Sequence, residues 1–378
     1  MCRNISVLTL LTCACALVFT QGALAATITI APLSTWSPNS DGWLAPGEGG
    51  YTYLGTGNNE RGLAYGNGHV YLVSRTGGNN IRRLDPATGA DLNSPLDVTG
   101  ITGGTFAINT AAVGSNGAIY VNNLTTQSTT SPAKVYKWAT EGSVPTVAYT
   151  GDAGLGGARV GDSMATDGTM LVLGYGSSPV VTGVNGYAIV DPSAGTATRV
   201  AFAATPPNNG DFRLGITFTD SSHVLGTQGS SLYRYTSFSG GTGTLIGSPA
   251  IPDPAGATAD RLLQYTTING TALLAVQSIG DSHVSLYDVT DPGAPVYLVS
   301  GNNTSGTLTA NANGTGQIAW GDVVDNGDGT LSRTLYAMST NQGIQAFKVT
   351  LVPEPSSMGL LMLLLGVLGG SCRARRFA

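Results

Sequence analysis

Asn67-Gly68-His69-Val70-Tyr71-Leu72-Val73, followed by Ile81-Arg82-Arg83-Leu84-Asp85-Pro86, is the stretch from which the fold can be read. A tight Asn-Gly turn opens an apolar strand, a small-residue gap follows, and a second, alternating strand ends in an Asp-Pro turn. The unit recurs. Asn116-Gly117 precedes Ile119-Tyr120-Val121, Asp167-Gly168 precedes Met170 to Leu173, and Ser221-Ser222 precedes Val224-Leu225. Asn269-Gly270 precedes Leu273 to Val276, and Asp328-Gly329 precedes Leu335 to Met338. The second strand repeats as Val135 to Trp138, Tyr187 to Pro192, Leu232 to Tyr235, Val284 to Val289 and Ile344 to Val349. Helical periodicity is absent. Six units at a step of roughly 50 residues, each with about four strands, predict an all-β propeller. One such sheet cannot bury both faces alone, so the units must stack around an axis.

The sixth unit lacks an outer strand of its own, because the chain passes from Val349 towards its C-terminus. Tyr51-Thr52-Tyr53-Leu54, ahead of the first turn, is the expected donor that closes the ring. The rival count is seven blades, with Thr27 to Trp36 feeding an extra irregular blade.

The two ends read as addresses. Arg3, the apolar run Ile5 to Phe19 and Ala23-Leu24-Ala25 form a secretory signal, with cleavage expected after Ala25. Signal peptidase is then one partner, and the domains divide as 1–25 (signal), 26–351 (propeller) and 352–378 (tail). The tail joins Val352-Pro353-Glu354-Pro355 to an apolar run from Met358 to Leu368 and a closing Arg373-Ala374-Arg375-Arg376. That apolar run is shorter than the ~20 residues of a stable membrane helix, and its serine and glycine flanks extend it to a marginal span. The arginines belong on the cytoplasmic side.

This three-part tail resembles the PEP-CTERM sorting tail of Gram-negative surface proteins. The resemblance implies a C-terminal transmembrane segment processed by an exosortase. It also implies a cell-surface or extracellular-matrix destination, with exopolysaccharide or envelope proteins as partners. Val284 to Pro292 further resembles the LVIVD-type repeat of bacterial surface propellers, over one unit.

All four cysteines (Cys2, Cys13, Cys15, Cys372) lie in the two targeting segments. The body therefore has no disulfide, thiolate nucleophile or cysteine-ligated zinc, and its about 326 residues must hold by core burial alone. Without Arg3, Arg373, Arg375, Arg376 and Glu354, the body keeps 13 basic and 21 acidic residues, a net of −8. Nucleic acid is not an expected partner, because phosphate binding needs a basic footprint.

No catalytic motif stands out. His69 and His223 fill equivalent repeat positions, which argues for structural use, and His283 precedes a different strand. Asp325-Asn326-Gly327-Asp328-Gly329 has Val324 and Leu335 where an EF-hand needs acids, so it reads as a hairpin turn. A loose calcium site there would use Asp322, Asp325 and Asp328; no other cofactor is expected.

One pattern carries chemistry. Arg61, Arg159, Arg213 and Arg261 stand at the start of the innermost strand in four repeats, with Glu60, Asp162, Asp211 and Asp260 beside them. Two readings follow. They line one channel mouth as a site for an anionic or sugar ligand, or they tie blades together as ion pairs. Overall, the sequence predicts a non-catalytic binding or scaffolding protein. The alternative is a hydrolase or lyase acting on extracellular polysaccharide, which as a glycosidase would need two opposed carboxylates.

Overall fold

Each turn-and-strand unit folds as an antiparallel sheet in which strands follow one another outward from the axis. The computed structural model describes residues 27–176, 185–227, 232–251 and 260–352. Blade one holds Glu60–Gly66, His69–Ser74 and Asn80–Leu84. Its outer place is taken by an irregular segment held through Leu92 N to Arg83 O (3.0 Å) and Leu96 N to Ile81 O (3.0 Å). Blade two is Ala111–Val113, Ile119–Asn122, Ala133–Trp138 and Thr146–Gly151. Blade three is Arg159–Thr166, Leu171–Gly176, Tyr187–Asp191 and Thr196–Val200. Blade four is Gly215–Asp220, His223–Thr227, Arg234–Ser239 and Thr242–Gly247. Blade five is Asp260–Ile268, Thr271–Ser278, Val284–Asp288 and Val296–Gly301.

Blade six holds Gly316–Asp325, Leu331–Ser339 and Ile344–Val352, and its outer strand is Thr27–Pro32 from the other end of the chain. Thr27 pairs with Val352 and Pro32 with Phe347, and Trp43–Leu44 adds a short pairing to Gln345 and Ile344. The ring therefore has six blades. Two expectations are corrected here. Thr27 to Trp36 builds no seventh blade. Tyr51 to Leu54 is not the donor, because it spends its backbone on its own loop: Gly47 N bonds Leu54 O (2.7 Å) and Leu54 N bonds Tyr51 O (3.0 Å). Its side chains instead cover blade one, with Tyr53 and Leu54 buried and the Arg82 guanidinium 4.6 Å from the Tyr53 ring centroid.

The core lies between blades, not at the axis. Tyr71, Val73 and Ile81 of blade one meet Ile119, Val121, Tyr136 and Trp138 of blade two. Ile28 joins Leu286 of blade five with Phe347, Val349 and Leu351 of blade six. Alternation along each strand makes both faces apolar, which is what stacking on two neighbours requires. The turn chemistry is local: Asn67 (φ 53°) and Gly68 (φ 74°) take the two positive φ angles of a type I′ hairpin, as do Asn269 and Gly270.

The innermost strand of every blade is a sheet edge facing the axis. Gln317 blocks that axis. Its Oε1 accepts from Leu63 N (2.9 Å) and Ala111 N (3.0 Å). Its Nε2 donates to Ala111 O (2.6 Å) and Met164 O (3.1 Å). The side-chain amide is thus fully used, and it ties blade six to blades one, two and three. On one side of it lie the strand starts with their arginines. On the other is a cavity of about 460 Å³.

Candidate functional site

Inner strands all run in the same sense along the axis, so residues that begin them gather at one mouth. A bulge then aims the key acid. In blade three the pairing shifts between Val160 and Met164, and Gly161 sits at φ 101° with no room for a Cβ, which would lie 2.1 Å from Asn123 O. Asp162 turns back onto Arg159, whose Nε and Nη2 grip its two oxygens at 2.5 and 2.7 Å. From blade four, Arg213 Nε reaches the same carboxylate at 3.0 Å. From blade one, Arg61 Nη1 stands 3.9 Å away.

Asp162 is thus shared by three guanidiniums, and its side chain is 1% exposed. Arg61 is 3% exposed, and its Nε and Nη1 have no hydrogen-bond partner. The guanidinium lies 4.8 Å from the Phe106 ring centroid, and Arg75 stacks on the same ring at 3.8 Å. Burial lowers the pKa of Arg61, and the nearby Arg159 and Arg213 lower it further against the pull of Asp162. Burial and the Arg61 charge push Arg75 down to about 10. Arg75 stays protonated at neutral pH.

Arg261 completes the cluster. Among the described residues no carboxylate lies within ion-pair range of it, and its buried Nε is unpartnered. Burial and the neighbouring Arg213 charge lower its pKa. Gly314, at φ 63°, leaves the space: a Cβ there would sit 2.1 Å from Arg261 Nη1. The chain thus makes room for a guanidinium that meets no counter-charge among the described residues.

The acids expected beside the other arginines do other work. Glu60 accepts from Gly55 N (3.0 Å), and burial raises its pKa. Asp211 pairs with Arg234 (2.7 Å). Asp260 is buried at the start of its strand. Among the described residues, Asp162 is the neighbouring acid that bonds into the arginine cluster. Sequence reasoning found the four arginines from their repeat position, but it missed Arg75, Phe106 and the sharing of Asp162. The signal for Asp162 was its Arg-Val-Gly-Asp setting, where a glycine invites a bulge.

The remaining candidates are not brought together. Asp325 accepts from Gly327 N (2.8 Å), Asp328 from Thr330 (2.9 Å), and Asp322 from the Tyr65 hydroxyl (2.6 Å). Among the described residues no group of three or more His, Cys, Asp or Glu side chains gathers to hold a metal ion. Each histidine contacts one carboxylate: His69 with Glu141 (2.6 Å), His223 with Asp220 (2.8 Å) and His283 with Asp281 (2.7 Å). Val352 closes the last strand. Ala23, Ala25, Pro353, Glu354, Pro355, Arg373, Arg375 and Arg376 lie outside the described residues. Among the described residues no helix is long and apolar enough to cross a membrane.

Residues 351–376 match the PEP-CTERM protein-sorting motif, so the chain carries that motif, which implies export, sorting at the membrane and exosortase processing. Residues 48–214 match a family described only as a domain of unknown function (DUF4623), which spans blades one to three. No curated protein matches the chain significantly. Among solved structures, the Malassezia sympodialis allergen Mala s 1 is 12% identical, with 80% of this chain and 94% of that one covered at a TM-score of 0.50. Regucalcin from Agrobacterium tumefaciens, a calcium-binding protein, is 14% identical over 79% and 92% at 0.47. The periplasmic gluconolactonase of Pseudomonas aeruginosa is 14% identical over 78% and 88% at 0.43. Likeness at these identities speaks to the fold alone.

Proposed function

We propose that this protein is a non-catalytic binding protein of the cell envelope or extracellular matrix, and that the arginine mouth holds an anionic group of its ligand. One observation carries the reading: Arg61, Arg159, Arg213 and Arg261 converge with, among the described residues, one carboxylate bonded between them. Guanidinium cannot shed its charge at neutral pH, so a buried surplus of it calls for an anion. Charge-assisted bonds to such an anion are worth about 1.5–3 kcal/mol each. A polymer-bound carboxylate suits an exported protein whose sorting tail resembles those of matrix-forming bacteria. Glycosidase chemistry would need a second carboxylate facing the first across the scissile bond. Asp162 is instead buried and gripped by its neighbours.

The test is calorimetric titration of the full-length protein, kept in detergent, with an acidic and a neutral polysaccharide. The acidic polymer is expected to bind, with affinity falling as salt rises. Replacing Arg261 by Ala is expected to weaken that binding about tenfold or more, as loss of one such bond implies. Equal affinity for both polymers, or binding untouched in the Arg261 variant, overturns the reading.

A further inference from the structure

We infer that the cavity at the opposite end of the axis is a second binding site, one that takes an uncharged saccharide. This is independent of the arginine mouth, because Gln317 separates the two and uses all its hydrogen-bonding capacity in doing so.

The cavity is built into the repeats. Ala64, Ala112, Ala165 and Ala319 occupy the same level of their inner strands, opposite Tyr71, Tyr120, Val172 and Tyr336. Four short side chains at one height widen the axis below the Gln317 plug. The resulting volume, about 460 Å³, lies in the ~300–1,000 Å³ range of small-ligand sites.

Its chemistry is that of a polyol site. The walls are strand edges, whose axial side has no partner strand, so backbone donors and acceptors face the space. The lining has one acid, Asp322, and one base, Arg333, so it carries no surplus charge. Arg333 is anchored to the Gly321 carbonyl and the Thr266 hydroxyl across the blade five–six boundary. Asp322 is exposed at the rim and receives the Tyr65 hydroxyl on Oδ2 at 2.6 Å. That leaves its other oxygen for a sugar hydroxyl. One face of Tyr65 stacks on Tyr336, with centroids 5.9 Å apart and planes 14° apart. The ring is thus held rigid at the rim, and its other face suits the C–H face of a pyranose. Dense donors and acceptors, aromatic rings among the lining with Tyr65 fixed at the rim, and no net charge fit a neutral saccharide better than an ion or an apolar ligand.

Maltotriose, cellotriose and galactotriose, with trigalacturonate as the acidic counterpart, are titrated into the full-length protein in detergent. At least one neutral trisaccharide is expected to bind, with an affinity that changes less than twofold between low and high salt. Tyr65→Ala and Asp322→Asn are each expected to weaken that binding tenfold or more. Asp322, exposed on a hairpin, is the variant that leaves the fold standing, and a thermal melt checks this for both. The inference is overturned by three neutral trisaccharides that all fail to bind. It is equally overturned by neutral binding that Asp322→Asn leaves unchanged, or by binding at this site confined to trigalacturonate.

Discussion

Asp162 holds Arg159 and Arg213 by hydrogen bonds and has Arg61 3.9 Å away, so its loss strands three like charges beside one another. Breaking a buried pair costs about 3–5 kcal/mol. Arg159 and Arg213 keep 19% and 22% of their side-chain surface, so water relieves part of the strain. Asp162→Ala is therefore expected to lower unfolding free energy by about 3 kcal/mol, the low end of that range. Arg261→Ala, which removes a guanidinium with no acid partner among the described residues, is expected to stay within about 0.5 kcal/mol. Urea unfolding of the two variants checks the contrast; equal losses would mean that all four arginines are structural ties. The four arginines were legible as a repeated position in the chain. That three of them share a single acid was not, since each has its own acid as a sequence neighbour. Only a bulge at Gly161 and the meeting of blades one, three and four select Asp162.

Blades are joined by elements as well as by cores. Glu141, on the outer hairpin of blade two, receives Tyr71 (2.6 Å), His69 (2.6 Å) and Arg83 (2.6 Å), all from blade one. Burial raises the Glu141 pKa, but the Tyr71 and His69 bonds and the His69 and Arg83 charges outweigh it and hold the carboxyl below its ordinary 4.5. A group with a depressed native pKa stabilises fully above its unfolded value, and that stability is lost as pH falls through the native one. Denaturation midpoints between pH 3 and 7 should show wild type losing its advantage over Glu141→Gln on the acid side. A pH-independent gap would refute the clasp. The closing strand is the second element. Without residues 26–33, the edge of Ile344–Val352 loses the partner that Thr27–Pro32 provides. An open edge with apolar neighbours pairs with other chains. Gel filtration of that truncation is expected to show aggregate, and a monomer that melts cooperatively would show that the ring holds without its donor.

At the scale of the molecule, the two ends meet. Thr27 pairs with Val352, so the first strand of the ring and the residue that leads into the sorting tail lie side by side on blade six. The ring would hang from that blade while the tail is in the membrane. Processing is expected to leave a chain that starts near Ala26 and ends near Pro355 when an exosortase is present. The intact mass of protein from its native host checks this, and a mass that retains Met358 to Ala378 would sink it. The sorting tail, the six blades, the hairpin turns and the four arginines were all determined by sequence, because each depends on residues close along the chain: turn chemistry, strand alternation and a terminal motif. The closing strand, the shared Asp162, the Gln317 plug and the cavity below it were decided by tertiary structure alone. Each joins residues from different blades, 50 to over 300 positions apart, and no local pattern records which edges a closed ring brings together.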